Sequence, residues 1–257
     1  MNNQEIQPYL RTKIFGSEIF AFDLIDSTNL KAKALAREGV SEGTIVIAEE
    51  QTAGRGRLDR AWFSERGKNL TFSLIIKPRI KNECNGVLSI YAGLAVAQAI
   101  QNVLHVIPQC KWPNDVLLGN KKLCGILSEA ILMNGILEGV IIGIGINVNQ
   151  TFFPEEIKQT ATSLSLNAGK QFNRFEVLAA VLERLEILYG DIQKGLLKNI
   201  LDGWKRYCSI FGKEILVSQN GQIIKGIATG LDEDGGLLMQ TKNSEIKILA
   251  GDITLCC

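Results

Sequence analysis

Histidine is almost absent: the 257 residues contain one, His105. A Ser-His-Asp triad, an HExxH zinc site or any histidine proton relay would have to run through that one residue. It stands towards the end of an apolar helical stretch, where a structural role is the plainer reading, so those chemistries are set aside. Paired metal-binding thiols are lacking as well. The six cysteines are Cys84, Cys110, Cys124, Cys208, Cys256 and Cys257, and no CxxC spacing occurs among them, which fits reduced thiols in a cytoplasmic protein. The opening stretch MNNQEIQPYLRTK has no apolar leader core. Nor is there an excess of either charge. Lys+Arg 28 against Asp+Glu 27 leaves a net +1, too little to make a global field for nucleic acid or anionic lipid. The most apolar long run, residues 87–107, carries Gln98, Gln101 and Asn102 at helical spacing, which suits a mostly buried helix better than lipid. The expectation is a cytoplasmic protein without a membrane partner.

What is present reads as an α/β (α+β) chain long enough for one large domain or a domain with a small appendage. EIFAFDLI is a strand, and a helix capped by Ser27 or Thr28 then runs to about Arg37, with Gly39 as its stop. GTIVIAEE and NLTFSLIIKP are strands on either side of an Arg/Gly loop, and a helix starts at Val87. QCKWPNDVLLGNKKLCGILSEAIL reads as strand, turn, strand with its tip at Gly119-Asn120; ILEGVIIGIGINVN adds a strand, and residues 174–207 a helical pair. Beyond Ser209 the texture changes to short β-rich runs with turn signals at Asn220-Gly221 and Asp234-Gly235-Gly236, the pattern of a small β-barrel. Two domains are expected, residues 1–208 and 209–257.

Three stretches carry chemistry. QTAGRGRLDRAW, residues 51–62, crowds Arg55, Arg57 and Arg60 beside Gly54 and Gly56. Alone it is ambiguous. A solvated basic loop, an RNA-binding Arg/Gly segment and an anion clamp of guanidinium forks and backbone N–H groups all remain open. No GK[ST] follows, so it is not a Walker A loop. KWPND, residues 111–115, groups Lys111, Asn114 and Asp115, a cation, an amide and a carboxylate that need polar partners and suit phosphate with Mg²⁺. Past the Gly119-Asn120 tip the chain returns through Lys121 and Lys122, of which strand alternation lets only one face the same site. GIGIN, residues 143–147, lacks the third glycine of a dinucleotide fingerprint. Its glycines read as sites of close backbone approach, with Asn147 free to read a base edge.

Taken together, STN (27–29), QTAGRGRLDRAW (51–62), KWPND…KKLCGILSE (111–129), GIGINVN (143–149) and the tail GIATGLDEDGGLL…AGDITL resemble bacterial biotin protein ligases, in order and over nearly the whole chain. The resemblance implies a catalytic domain with the class II aminoacyl-tRNA synthetase fold and a mixed sheet, followed by an SH3-like barrel. It implies an ATP-dependent enzyme that converts biotin to biotinyl-5′-AMP and transfers biotin to a lysine of the biotin carboxyl carrier protein of acetyl-CoA carboxylase. Mg²⁺ would accompany ATP, and no tightly held metal is expected. A biotin carboxylate is ionised at neutral pH, so the first step needs cations to bring two anions together rather than a general base. Carried across by position, Ser27, Thr28, Asn29 and Gln51 resemble the biotin-binding groups. Arg55, Gly56 and Arg57 match a loop that closes over biotin and the adenylate phosphate, supported by Arg60. Lys122 matches the lysine bridging the biotin carboxyl and α-phosphate, with Lys111 and Asn114 near the phosphates and Trp62 and Asn147 facing adenine. Asp115 is the candidate for orienting the incoming lysine. The catalytic set implied is thus Lys122, Arg57, Lys111 and Asp115.

The loop departs from the family in one place, with Asp59 where glycine is usual, free either to pair with an arginine or to slow loop ordering if φ > 0 is required there. Residues 1–26 do not carry a winged-helix pattern, so the monofunctional form without DNA binding is expected. Homodimers occur among such enzymes, and the sequence leaves that open. Lipoate or octanoate ligases and transferases of the same fold are the nearest alternative, and RNA binding through the Arg/Gly loop the non-enzymatic one.

Overall fold

The computed structural model describes residues 1–80, 86–133, 136–219 and 221–255. A capped helical turn, α1 (Asn3–Ile6), leads to β1 (Ile19–Ile25) and α2 (Thr28–Arg37). Ser27 holds the N-cap position of α2, but its hydroxyl makes no capping bond. β2 (Ile45–Gln51) and β3 (Leu70–Ile76) flank the Arg/Gly loop, and α3 (Gly86–Leu104) follows. Next come β4 (Gln109–Lys111), β5 (Asp115–Leu118), β6 (Lys121–Met133) and β7 (Ile136–Ile146). α4 (Leu164–Ala168), α5 (Arg174–Gln193) and α6 (Leu197–Lys205) lead into β8 (Glu214–Gln219), β9 (Gln222–Leu231), β10 (Leu237–Gln240), β11 (Glu245–Ile248) and β12 (Asp252–Leu255).

Two readings change. Residues 109–132 hold three strands, not two, because Lys111 pairs with Asp115 across a tight turn at residues 112–114. KWPND is therefore a turn between short strands rather than a strand end. His105 lies just past α3 rather than within it, exposed and at φ 56°, where a left-handed residue ends the helix. Asn220, Cys84, Cys256 and Cys257 lie outside the described residues.

The first sheet has the order β1-β2-β3-β7-β6-β5-β4. β1 and β2 are parallel, which requires a crossover, and α2 supplies it; the other pairs are antiparallel. Alternation divides the sheet's faces. Leu70, Phe72 and Leu74 of β3 and Ile142, Ile144 and Ile146 of β7 enter the main core with α3 and α5. Ile75 and Ile141 face α2 instead, packing with Ala32 and Leu35. That second face is only partly apolar, since it also carries Thr71, Ser73, Gly143 and Gly145 (residues of the two most buried strands). α3 is the one described helix long and apolar enough to cross a membrane, and 67% of its most apolar 18-residue stretch is buried inside this fold, so it is read as a core helix.

The second sheet, β11-β10-β9-β8-β12, is antiparallel throughout. It meets the first layer where Trp112 donates its indole N–H to the Gly235 carbonyl at 3.0 Å. A Cβ on Gly86 would come within 2.5 Å of the Asp234 carbonyl oxygen, so the start of α3 lies directly against the β9–β10 turn.

Candidate active site

The α2 side of the first sheet opens into a cleft of about 430 Å³ that reaches from the start of α2 to β12. Every candidate from the sequence lines it, and the cleft divides by chemistry.

One end is polar and uncharged. The N–H of Thr28 donates to Gln51 Oε1 at 2.7 Å and its hydroxyl does so at 3.0 Å. Ser27, Thr28 and Asn29 are all buried, with the carboxamide of Asn29 lying on the sheet. A Cβ on Gly143 would be 2.2 Å from Asn29 Oδ1. The glycine is therefore required for that approach.

The middle is cationic. A bulge between Val116 and Leu117 pairs Val116 with Cys124 but Leu117 with Lys122, so Leu123 is the extra residue of β6. The bulge turns Lys122 into the cleft, while Lys121 lines a separate cavity with Phe152 and Lys158. Lys122 Nζ lies 2.7 Å from Asp115 Oδ1 and 5.7 Å from the centre of the Trp62 ring. Arg57 Nη1 donates to Asn114 Oδ1 at 3.3 Å. Asn114 gives one amide N–H to the Ile126 carbonyl at 2.7 Å, so it tethers the KWPND turn to β6 and offers Arg57 its oxygen. Burial lowers the pKa of the Arg57 guanidinium and the nearby charge of Arg60 does the same, while Asp252 and Asp115 oppose the fall. A guanidinium so placed remains cationic and only partly neutralised. Arg60 pairs with Asp252 of β12, and Lys111 lines the same middle region.

The Arg/Gly loop is a closed hairpin-like turn. Trp62 N–H meets the Gly54 carbonyl at 2.9 Å and Gly56 N–H the Arg60 carbonyl at 2.7 Å. Within the turn Leu58 is left-handed, at φ 55°. Whether Asp59 pairs with an arginine falls outside the described side chains.

The far end carries Trp62 and Asn147. The indole lies flat on the β6–β7 backbone: Cβ atoms on Gly145 and Gly125, which pair in register, would be 2.3 and 2.9 Å from its ring. Asn147 donates to the Thr162 carbonyl at 2.9 Å. Phe153, Ile157, Thr160 and Ala161 close this end, and sequence reasoning missed all four. Their segment is fixed through the backbone of Lys122, whose N–H meets the Thr160 carbonyl at 2.7 Å while its carbonyl accepts from Thr162 N–H at 2.9 Å. The one usable signal was a Phe-Phe pair in a polar loop. Asp252, also missed, comes from the other sheet.

Buried polar side-chain atoms are nearly always hydrogen-bonded in folded proteins. Among the described residues three are not: Trp62 Nε1, Asp115 Oδ1 and Asn147 Oδ1. All three belong to residues lining this cleft. Asp115 Oδ1 is close to the Lys122 ammonium, but that contact is one of charge, outside hydrogen-bond angles. None of the three described cysteines lines the cleft: Cys110, Cys124 and Cys208 are free thiols, and burial raises the pKa of each, Cys208 to about 11.

Comparison with known proteins points the same way. Residues 21–147 match the biotin/lipoate A/B protein ligase family and residues 210–255 the biotin protein ligase C-terminal domain. The chain is 37% identical over 257 residues to the bifunctional ligase/repressor BirA of Bacillus subtilis, covering 99% of this chain and 79% of that one. It is 32% identical to the biotin–[acetyl-CoA-carboxylase] ligase of Mycobacterium tuberculosis, over 88% of this chain and 85% of the relative. The biotin protein ligase of Aquifex aeolicus, solved in complex with biotin and ATP, superposes with a TM-score of 0.80 at 35% identity, covering 93% of this chain and 99% of that one.

Proposed function

The chain belongs to the biotin/lipoate A/B protein ligase family, and from that premise we propose that its cleft joins biotin to ATP and passes the biotinyl group to a carrier-protein lysine. The observation that carries the reading is the order of chemistry along one cleft. A neutral hydrogen-bonding end is followed by a cationic middle and then by an indole beside an unpaired amide oxygen. Biotin has the matching order, with a ureido ring at one end and a carboxylate at the other. A dithiolane or an alkyl chain would leave Ser27 and Gln51 without partners, and sites built from buried polar groups reject ligands lacking theirs. The lipoate alternative is disfavoured on that ground.

In the first step a biotin carboxylate oxygen attacks the α-phosphorus, the bond to the bridging oxygen breaks, and pyrophosphate leaves with its electron pair. Lys122 and Arg57, both lining the cationic middle, are the groups proposed to hold the two anions together, the main barrier to the step. Lys122 is already neutralised by Asp115. The phosphate therefore competes with a carboxylate for this ammonium, and Asp115 is released as Lys122 turns to the ligand. In the second step a lysine amine attacks the mixed-anhydride carbonyl, AMP leaves and an amide forms. A freed Asp115 is suited to orient that amine and receive its proton.

Mg²⁺ enters as part of the nucleotide substrate. No group of three or more His, Cys, Asp or Glu side chains gathers among the described residues, and the cleft's carboxylates, Asp115 and Asp252, are each paired with a cation. The metal's ligands are then chiefly phosphate oxygens. The carrier is read as the biotin carboxyl carrier protein of acetyl-CoA carboxylase, on the relative's name. DNA is no part of the reading, since a net charge of +1 gives no general attraction to it. The deciding experiment is ATP–pyrophosphate exchange with and without biotin. Exchange that requires biotin supports the proposal, whereas exchange supported by lipoate instead, or none, refutes it.

A further inference from the structure

The polar end of the cleft is wired to a carboxylate that does not line it. Glu129 of β6 accepts a hydrogen bond from Asn29 Nδ2 at 2.7 Å. Asn29 Oδ1 in turn accepts from the Ser73 hydroxyl at 2.6 Å, and Ser73 Oγ lies 2.8 Å from Thr28 Oγ1. Thr28 leads to Gln51. One chain of contacts therefore joins Glu129 to four polar residues, three of which line the cleft. The register explains the arrangement. Gly143 of β7 sits between Ser73 of β3 and Leu127 of β6, and the bare backbone at that row admits the Asn29 carboxamide. Glu129 is two residues beyond Leu127, on the same face.

A carboxamide in this position has two orientations that exchange its oxygen and nitrogen. A carboxylate oxygen accepts, so Glu129 draws the amide nitrogen towards itself, with the Leu127 carbonyl a longer second acceptor at 3.4 Å, and the oxygen is left to Ser73. The Ser73 hydroxyl lies within reach of both Asn29 Oδ1 at 2.6 Å and Thr28 Oγ1 at 2.8 Å, and it gives its one proton to Asn29 so long as that oxygen faces it. Gln51 Oε1 is committed to the Thr28 backbone N–H, which leaves the Gln51 amide nitrogen and the Ser27 hydroxyl for a ligand. The direction of the bonds that run from Asn29 to Ser73 is thus set from outside the pocket.

We infer that Glu129 is a positioning residue for ring recognition, acting through Asn29 to fix which cleft groups donate and which accept. The inference rests on the biotin reading above. Glu129→Gln keeps the shape but lets the 129 side chain donate as well as accept, so only the longer Leu127 contact still holds the orientation of Asn29. The expected result is a KM for biotin raised about tenfold, the loss of roughly one charge-assisted hydrogen bond. The kcat, KM for ATP and melting temperature should stay near wild type. Asn29→Asp sets two carboxylates against each other and should lose more. Adding Glu129→Gln to it restores a donor–acceptor pair across the same gap and should recover most of the biotin affinity. An unchanged biotin KM in Glu129→Gln overturns the inference. So does a parallel change in kcat and both KM values, as does Asn29→Asp/Glu129→Gln performing no better than Asn29→Asp alone. Wild-type exchange that does not depend on biotin would instead sink the reading on which the inference stands.

Discussion

Lys121 and Lys122 carry the same ammonium one residue apart, and the bulge at Leu123 sends them to different cavities. Strict alternation counted back from Gly125 would have put Lys121 on the cleft face; the extra residue exchanges the two. Lys122→Ala should therefore reduce adenylate formation by about 10²-fold or more, as loss of a transition-state cation does, while Lys121→Ala stays within about twofold. Pyrophosphate exchange measures both, and small, equal losses would remove Lys122 from its role. A glycine makes the same point from the opposite direction. The methyl group of Gly145→Ala would come 2.3 Å from Trp62 Cε2, so the indole must leave the floor of the cleft. Overpacking of this kind typically costs about 1–3 kcal/mol where the neighbour cannot move, but Trp62 sits on a loop and can. The expected outcome is a melting temperature near wild type with adenylation clearly impaired. A large fall in melting temperature with normal activity would mean that the indole serves the core.

At the scale of elements, legibility followed burial. β3 and β7 are rich in large apolar residues because most of their length is covered, and they were found where they are. β4 and β5, three and four residues long, merged into one strand in the sequence because the turn joining them, Trp-Pro-Asn, carries no glycine signal. The Arg/Gly loop and KWPND stood out because clustered charges need a reason. Residues 153–161 did not, because their segment is held to Lys122 by backbone groups that leave no mark on side-chain identity. Glu129 was invisible as a functional residue, since a lone carboxylate in a strand says nothing about the amide it meets. The loop itself yields a prediction. Arg57 and Arg60 repel one another, Leu58 stands left-handed, and Arg57 has one neutral hydrogen-bond partner in Asn114. An adenylate phosphate would offset the repulsion and order the loop over a reactive anhydride. Arg57→Gly should then release biotinyl-AMP while still binding biotin, and bystander proteins should gain biotin at matched adenylate production. No gain over wild type, or equal hydrogen-exchange protection of residues 51–62 with and without ligand, would mean that the loop is a fixed scaffold.

At the scale of the whole molecule, the second sheet reaches into the chemistry of the first. Asp252 of β12 pairs with Arg60 and lowers the local positive potential at Arg57, so a carboxylate from the far end of the chain occupies the place where a phosphate would be attracted. Two effects follow and oppose each other. Removing the charge frees both arginines for the nucleotide, but it also unties the loop from the second sheet. Magnitudes favour the first. The pair is exposed on both sides, 66% for Arg60 and 38% for Asp252, and such pairs hold structure by at most about 1 kcal/mol. The sheets keep their Trp112–Gly235 bond in any case. Asp252→Asn should therefore melt within a degree or two of wild type and lower the KM for ATP by about two- to fivefold at low ionic strength, the factor that up to about 1 kcal/mol supplies. The gain should fade near 1 M salt, where the Debye length shrinks to about 3 Å and exposed charges are screened. A raised KM for ATP at every salt concentration would show instead that the Arg60–Asp252 contact holds the loop in its working position.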